Sequence, residues 1–567
     1  MAASKLGTDN NQQGIIMTSA CNPGLLHPRE ARAEFRNNTL THISCSQFCA
    51  GYLQANIACL PSNMADDFEL LCAKNSCAFP HLYRSQPGEV SAPPLASDSD
   101  VRTDLPLYAI SEDGVLTKHA TDLLDIPWED MVTFYFGCSF SFDHLLLASN
   151  VPVRHMIEKR DPPKYTSDIP FLPQGPFAGN MVVSLRTIPR EFVQKVAEVC
   201  TPLDFAHGAP IHIGDPKIIG IEDFLPPSFG DGPVVREDDV FIFWGCGISG
   251  TEVVTSAKPR IAVTLSPRCV GSLFITDLRV VECYEERKKE SQQNHLSPKV
   301  VFLSESPQFA SLVSQQAMDQ ITAKQNELIS KTQESTDGVV QPTDSLLKSA
   351  MFLSHASSVA IVTEGIKVRQ FEAVVCLAKA LLAQEKEVTI LTSESIVLEW
   401  RAFLNKCEAK GILQKCILVT SLKARAVVQS LGPRFYSSSL YSVVTVNKEG
   451  TLAVQNMLSM GEDIRDVNQI NIAAPNENAC WLDPSMVTMA TYILHACPIH
   501  GRYVRRGRGE RIVRPKEEFF LSPKQVLKLL LVNNFLPHTH FFAGENRKFV
   551  SRGSLFPSRF YGIRKFP

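Results

Sequence analysis

At 567 residues, with 44% hydrophobic and 20% charged residues, the chain is long enough for two or three globular units with ample core. Its formal net charge of -3 provides no global field to draw it to nucleic acid or an anionic membrane. No apolar run reaches the roughly 18 residues of a membrane helix, and the start lacks an apolar signal core.

Residues 1–40 are polar and irregular and read as a flexible N-terminus. From 41 to 283, short apolar runs broken by Gly and Pro predict strands at 131–136, 181–185, 240–244 and 261–265. A short helix is expected over 191–199. The pattern predicts an α+β mixed N-terminal domain rich in strands and loops. Residues 284–345 read as a linker with a helix. A charge cluster over 285–290 marks a solvated face. Phe309, Leu312, Val313, Ala317, Ile321 and Leu328 then recur near helical spacing. From 346 to 567 the signature changes. Strands are predicted at 359–363, 387–392 and 416–420. Phe371, Val374, Val375, Ala378, Leu381 and Leu382 form the apolar stripe of a helix between the first two. Strand, helix, strand implies an α/β C-terminal domain with a parallel sheet. No internal repeat is visible.

The 16 cysteines contain no Cys-x-x-Cys pair, so buried reduced thiols are expected rather than a zinc site. Gly245-Cys246-Gly247-Ile248-Ser249-Gly250 matches the dinucleotide fingerprint in spacing. Pro259 leaves its helix barely two turns, however, and no acidic residue follows about 20 positions on. A tight turn near a pocket is the better reading. The basic stretch from Arg502 to Arg514 reads as a solvated loop, because few aromatics interleave and acids lie close.

The most informative stretch is His207-Gly208-Ala209-Pro210-Ile211-His212-Ile213-Gly214-Asp215-Pro216. Two imidazoles and a carboxylate on Gly- and Pro-fixed turns suit a polar pocket better than a core. In extended chain, their odd spacing puts His207 and His212 on opposite faces. Asp215 is placed to cap a turn. Upstream, Cys138, Ser139 and Ser141 follow a strand, as hydrogen-bond donors, as nucleophiles or as a buried turn. Arg186 and Arg102 are each able to grip a carboxylate with two parallel hydrogen bonds, or to form an internal ion pair such as Arg102 with Asp104.

Together these motifs resemble the D-glutamate cyclase family and its bacterial hydro-lyase relatives. The resemblance spans residues 28–280. It rests on Gly51-Tyr52-Leu53-Gln54-Ala55-Asn56, Asp104-Leu105-Pro106-Leu107-Tyr108, Gly137-Cys138-Ser139-Phe140-Ser141-Phe142, Met181-Val182-Val183-Ser184-Leu185-Arg186, the His207–Pro216 stretch and Phe243-Trp244-Gly245-Cys246-Gly247, in the family's order. The C-terminal half is similar to the second domain of the animal, mitochondrial type, but diverges. Glu364-Gly365-Ile366-Lys367-Val368-Arg369 replaces an acidic, glycine-rich stretch, and Pro475-Asn476-Glu477-Asn478 stands where a longer Gly-Asp loop is expected.

The resemblance implies a hydro-lyase that converts D-glutamate to 5-oxo-D-proline and water in the mitochondrial matrix. Met1 to Gly14 makes a poor presequence, which keeps a cytoplasmic location open. From what that reaction demands, Arg186 and Arg102 are expected to hold substrate carboxylates. His207 or His212 would transfer protons, the Cys138–Ser141 turn would stabilise the oxyanion, and Asp215 belongs to the same group. No organic cofactor is required, and a divalent metal is not indicated. A small carboxylate is the expected partner, with no nucleic acid and no membrane; the oligomeric state is open. The alternatives are an inactive relative that binds a small acid or a protein, and a hydro-lyase for another small carboxylic acid.

Overall fold

The computed structural model describes residues 23–39, 48–266, 273–304, 309–333, 343–363, 368–413, 418–421, 441–446, 468–472 and 484–509. The stretch read as irregular holds helix α1 (Pro28–Arg36), which starts with Pro28 in its first turn and a capping box from His27 to Glu30. The helix is pinned from below. Arg32 is fully buried and reaches the carboxylates of Asp98 and Asp277.

The front unit begins with β1 (Tyr52–Pro61), α2 (Ser62–Lys74), β2 (His81–Arg84) and a hairpin of β3 (Tyr108–Glu112) and β4 (Val115–Ala120). It continues through β5 (Met131–Gly137), α3 (Phe140–Ala148), α4 (Arg154–Ile157) and β6 (Lys164–Pro170). Next come β7 (Asn180–Pro189), α5 (Val193–Cys200), β8 (His212–Ile213), β9 (Asp239–Gly245), α6 (Ser249–Ser256) and β10 (Ala262–Leu265). β11 (Phe274–Arg279) and α7 (Val280–Gln293) close the unit.

One antiparallel sheet runs β2–β5–β1–β10–β3–β4 with β11 beside β1; the other runs β6–β7–β9–β8. These sheets are a duplication that the sequence hides. In β1·β5 the paired residues run from Ala55↔Gly137 to Pro61↔Met131; in β7·β9 they run from Val183↔Gly245 to Pro189↔Asp239, step for step. Pro61 and Pro189 end corresponding strands, where a missing N–H is tolerated and a helical segment begins. The outer strands β2 and β8 pair equivalently with β5 and β9. The fourth strands are exchanged. β6 follows the first half's α3 but pairs with β7, and β10 follows the second half's α6 but pairs with β1.

The rest of the chain supplies β12 (Pro298–Ser304), β13 (Phe309–Ser314), α8 (Gln315–Gln333), α9 (Thr343–His355), β14 (Ser358–Thr363), α10 (Val368–Ala383) and β15 (Glu387–Thr392). It ends with α11 (Val397–Ala409), β16 (Leu418–Ser421), β17 (Tyr441–Val446), β18 (Asn468–Ile472), α12 (Pro484–Ala496) and α13 (Pro498–Val504). Strands β16–β15–β14–β17–β18 form the expected sheet, parallel throughout. The mixed front and parallel back match the predicted fold class.

The segment expected to be a linker is part of the body. Phe309 to Ser314 is a strand, not the start of a helix, because all six residues are buried and pair with β12. The polar stretch around 334–342 and the divergent stretches at 364–367 and 475–478 lie outside the described residues. One apolar core runs from Phe142 and Trp244 through Leu312 to Ile361 and Trp400, so the halves share an interior. Among the described residues no helix is long and apolar enough to cross a membrane.

Candidate functional site

The duplication brings two equivalent turns together. Each follows a central strand with a Gly-Cys pair and opens a helix. The Cys138 N–H donates to Gln54 O at 3.0 Å, and the Gln54 N–H donates back to Ser141 Oγ at 3.2 Å. In the other half, Cys246 N–H donates to Val182 O at 2.9 Å, and Val182 N–H to Ser249 Oγ at 2.9 Å. The helix that follows Cys246 runs only 8 residues, too short for a dinucleotide site. Each turn needs its glycine for close approach. A Cβ on Gly137 would sit 1.6 Å from Phe205 O, and one on Gly245 would sit 2.9 Å from Cys77 O. The loop after α5 therefore lies on the first turn, and the loop after α2 on the second.

Cys138, Ser139 and Ser141 are all buried. Burial pushes the Cys138 thiol up to about 12, although the Phe140 N–H favours the thiolate. A thiol protonated at neutral pH is a poor nucleophile. Cys246 is raised too, again chiefly by burial. The Ser139 and Gly247 amides donate to no acceptor among the described residues, which leaves one free N–H at each turn. Asn56 is 3% exposed and abuts Gly247: a Cβ there would lie 2.3 Å from Asn56 Nδ2.

Arg186 sits beside the first turn, 1% exposed. Its Nε and Nη2 grip Asp143 at 2.9 and 2.8 Å. Nη1 donates to Ser184 Oγ and Leu185 O, and Nη2 also to Ser139 Oγ at 3.2 Å. All five guanidinium donors are used, so none is left for the substrate carboxylate that the sequence reading assigned to it. Burial disfavours the Asp143 carboxylate, but Arg186 and then His155 outweigh it and hold the group well below the usual range. His155 Nε2 lies 3.3 Å from Asp143, and burial and then Arg186 lower its pKa against the opposing pull of Asp143. Lys164 is buried nearby, with Nζ 3.0 Å from Pro162 O and 5.8 Å from the Phe140 ring centre. Burial lowers its pKa, while Cys246 and Asp161 oppose the shift. A cavity of about 10 Å³ beside Arg186 and His155 is at the threshold for one water.

His207 has φ 80° and ψ -15°, a left-handed conformation uncommon for a residue other than glycine. Its Nδ1 is 2.6 Å from Cys77 O. Burial lowers it to about 4, so it is neutral, with Nδ1–H donating and a lone pair on Nε2. His212 is placed differently. It is fully buried in β8, with Nε2 2.7 Å from Asp215 O, and Nδ1 is buried without a partner. It anchors the turn that Asp215 caps by accepting Lys217 N–H at 3.0 Å. Arg102 lies in another region. It pairs with Asp100 at 2.7 Å, not Asp104, whose carboxylate holds Arg36 at 2.6 Å. None of its contacts reaches the Arg186 cluster.

The structure thus joins Cys138, Ser139, Ser141, Arg186 and the His207 loop, and leaves Arg102, His212 and Asp215 outside. Sequence reasoning missed Asp143, His155, Lys164, Asn56 and the Gly247 amide. Asp143 directly follows the quoted Gly137–Phe142 motif, the one signal that pointed to it. Among the described residues, no group of three His, Cys, Asp or Glu is placed to hold a metal ion.

The D-glutamate cyclase family model matches residues 132–277, the segment that carries both turns. A Geobacillus kaustophilus protein named "Putative hydro-lyase GK2103" is 42% identical over 251 residues, 44% of this chain and 94% of that protein. A Clostridium beijerinckii "Putative hydro-lyase" is 40% identical over 257 residues, 45% of this chain and 97% of that protein. These matches make the front unit a hydro-lyase unit. The chain belongs to the D-glutamate cyclase family, and more than half of its length lies outside these matches.

Proposed function

We propose that the front unit cyclises D-glutamate to 5-oxo-D-proline and water. The observation that carries this reading is the pair of turns within 132–277, each presenting an uncommitted amide N–H beside a buried charged cluster. In the reaction the α-nitrogen bonds to the γ-carboxyl carbon and gives up two protons. One carboxyl oxygen leaves with them as water. Proton removal needs a base, and the tetrahedral oxyanion needs fixed donors.

The His207 Nε2 lone pair takes the proton, because the loop that carries it lies on Gly137. The Ser139 amide faces the oxyanion. Lys164 and the Gly247 amide take the place first given to the two arginines as carboxylate holders. Arg186 acts through Asp143 and Ser139 as a positioning residue.

The full chain is incubated with D-glutamate, and 5-oxoproline is resolved by chiral chromatography. His207→Ala is expected to lower kcat at least 100-fold, within the range for general-base removal. Unchanged turnover would remove His207 from the mechanism. Water loss from a different small carboxylic acid, with D-glutamate inert, would keep the hydro-lyase class and replace the substrate.

A further inference from the structure

The end of the described chain returns to the front unit instead of forming a solvated loop. Cys77 N–H donates to Gly507 O at 3.3 Å, and Gly509 N–H to Lys74 O at 2.9 Å. Arg506 is buried and donates to Ile211 O at 3.3 Å. The Tyr503 hydroxyl accepts Ile213 N–H at 3.1 Å and donates to Ala310 O at 2.9 Å. Residues 503–509 thus form a wall against the front unit.

Behind the wall lies a cavity of about 320 Å³, at the small end of the roughly 300–1,000 Å³ typical of ligand sites. One side is the Ala209–Ile211 part of the His207 motif. Its charged groups are Asp204, Arg287, Glu290 and Arg502, two cations and two anions. Arg287 serves both acids, with Nε 3.4 Å from Asp204 and Nη1 2.9 Å from Glu290. Arg502 has no carboxylate partner among the described residues. Its guanidinium lies against the Cys77 thiol, with Nη1 3.5 Å from where a Cβ of Gly208 would be. Much of the remaining lining is apolar, including Leu296, Leu312 and Ile499.

We propose that this cavity binds a zwitterionic amino acid with an apolar side chain. The carboxylate pairs with Arg502, the ammonium meets Asp204 and Glu290, and the side chain covers Leu296 and Leu312. A bare anion would leave the net negative charge of the Asp204–Arg287–Glu290 cluster uncompensated, and a bare cation would leave Arg502 unmatched. A second carboxylate finds no further unpaired cation among the described lining residues, which separates this site from one for a dicarboxylate substrate. Its occupant touches the segment that follows His207, so binding there is placed to influence the proposed base.

The test is calorimetric titration of the full chain with D- and L-leucine, acetate, methylammonium and D-glutamate at matched ionic strength. At least one leucine enantiomer is expected to bind at least tenfold more tightly than acetate or methylammonium. Arg502→Gln and Glu290→Gln should each weaken it at least tenfold, and Arg502→Lys should lose less. Circular dichroism shows that each variant is folded. No leucine binding, acetate binding as tightly as leucine, or leucine binding untouched by both Gln variants would overturn the proposal. D-glutamate turnover is scored separately, so the cavity and the cyclase reading fail independently.

Discussion

The Asp143–Arg186 pair offers the sharpest test of the site. Both side chains are at least 98% buried, and both Asp143 oxygens are gripped by the guanidinium. Asp143→Leu would strand a cation that cannot reach water. Removing one partner of a buried ion pair costs about 3–5 kcal/mol, whereas replacing both with apolar residues of similar volume is often neutral or stabilising. Asp143→Leu should therefore lower the first unfolding transition of the full chain by roughly 6–20 °C, at about 2–4 °C per kcal/mol for a unit of this size. The double variant Asp143→Leu/Arg186→Met should recover most of that loss. Its activity should not return, because Ser139 has lost the donor that fixes its hydroxyl. Thermal scans by far-UV circular dichroism read the stability, and 5-oxoproline release reads the chemistry. If Asp143→Leu costs less than about 1 kcal/mol, or the double variant is no more stable than the single, the pair is not the buried anchor described.

Among the described residues five buried imidazoles set an acid limit, His155 and four more. Burial lowers His207 to about 4 and His500 to about 3, and holds His212 and His355 well below their ordinary value. The unfolded chain takes up these protons near pH 6.5 and the folded chain does not. Stability is therefore complete above that pH and falls as pH drops through it. Each group costs about 1.4 kcal/mol per pH unit. Urea midpoints should fall steeply from pH 6.5 to 5, and a flat profile there would contradict the neutral assignment. Gly137→Ala should abolish folded protein, since its Cβ meets backbone at 1.6 Å. For Gly247→Ala the three nearest atoms all belong to the Asn56 side-chain amide rather than backbone, so it should fold and lose at least tenfold in kcat/KM for D-glutamate. Tyr503→Phe strands a buried N–H at Ile213, at a cost of about 1–3 kcal/mol. Faster hydrogen exchange at Ile213 would register it.

Strands and amphipathic helices were legible because their signal is local. The runs at 131–136, 181–185 and 240–244 fall within β5, β7 and β9. What failed depends on partners distant in sequence. Phe309, Leu312 and Val313 satisfy helical spacing, and only pairing with β12 makes them a strand. Helix α1 lacked a Ser, Thr, Asp or Asn cap; His27 does that work, and Arg32 finds Asp277 245 positions away. The Arg186 motif was visible, but not that Asp143, 43 positions earlier, accepts from its Nε and Nη2 while Ser139, Ser184 and Leu185 take the remaining donors. The duplication was hidden because the halves share little beyond Gly51/Gly179, Pro61/Pro189, Gly137-Cys138/Gly245-Cys246 and Ser141/Ser249. The inserted β3–β4 hairpin also breaks the spacing.

The exchange of β6 and β10 makes the two turns mutually dependent. The first half's β1 is completed by a strand that follows the second turn, and the second half's β7 by a strand that follows the first. Phe205 O seats Gly137, and Cys77 O seats Gly245, in the same reciprocal sense. Neither free amide has a defined position unless both halves are present. Separately expressed pieces 1–175 and 176–567, cut at the turn between β6 and β7, should therefore fail to give cooperative unfolding alone. Co-expressed, they should assemble and release 5-oxoproline. Cooperative thermal unfolding of the 1–175 piece by itself would show that the halves are independent and that the paired-turn site is not an obligate product of the exchange.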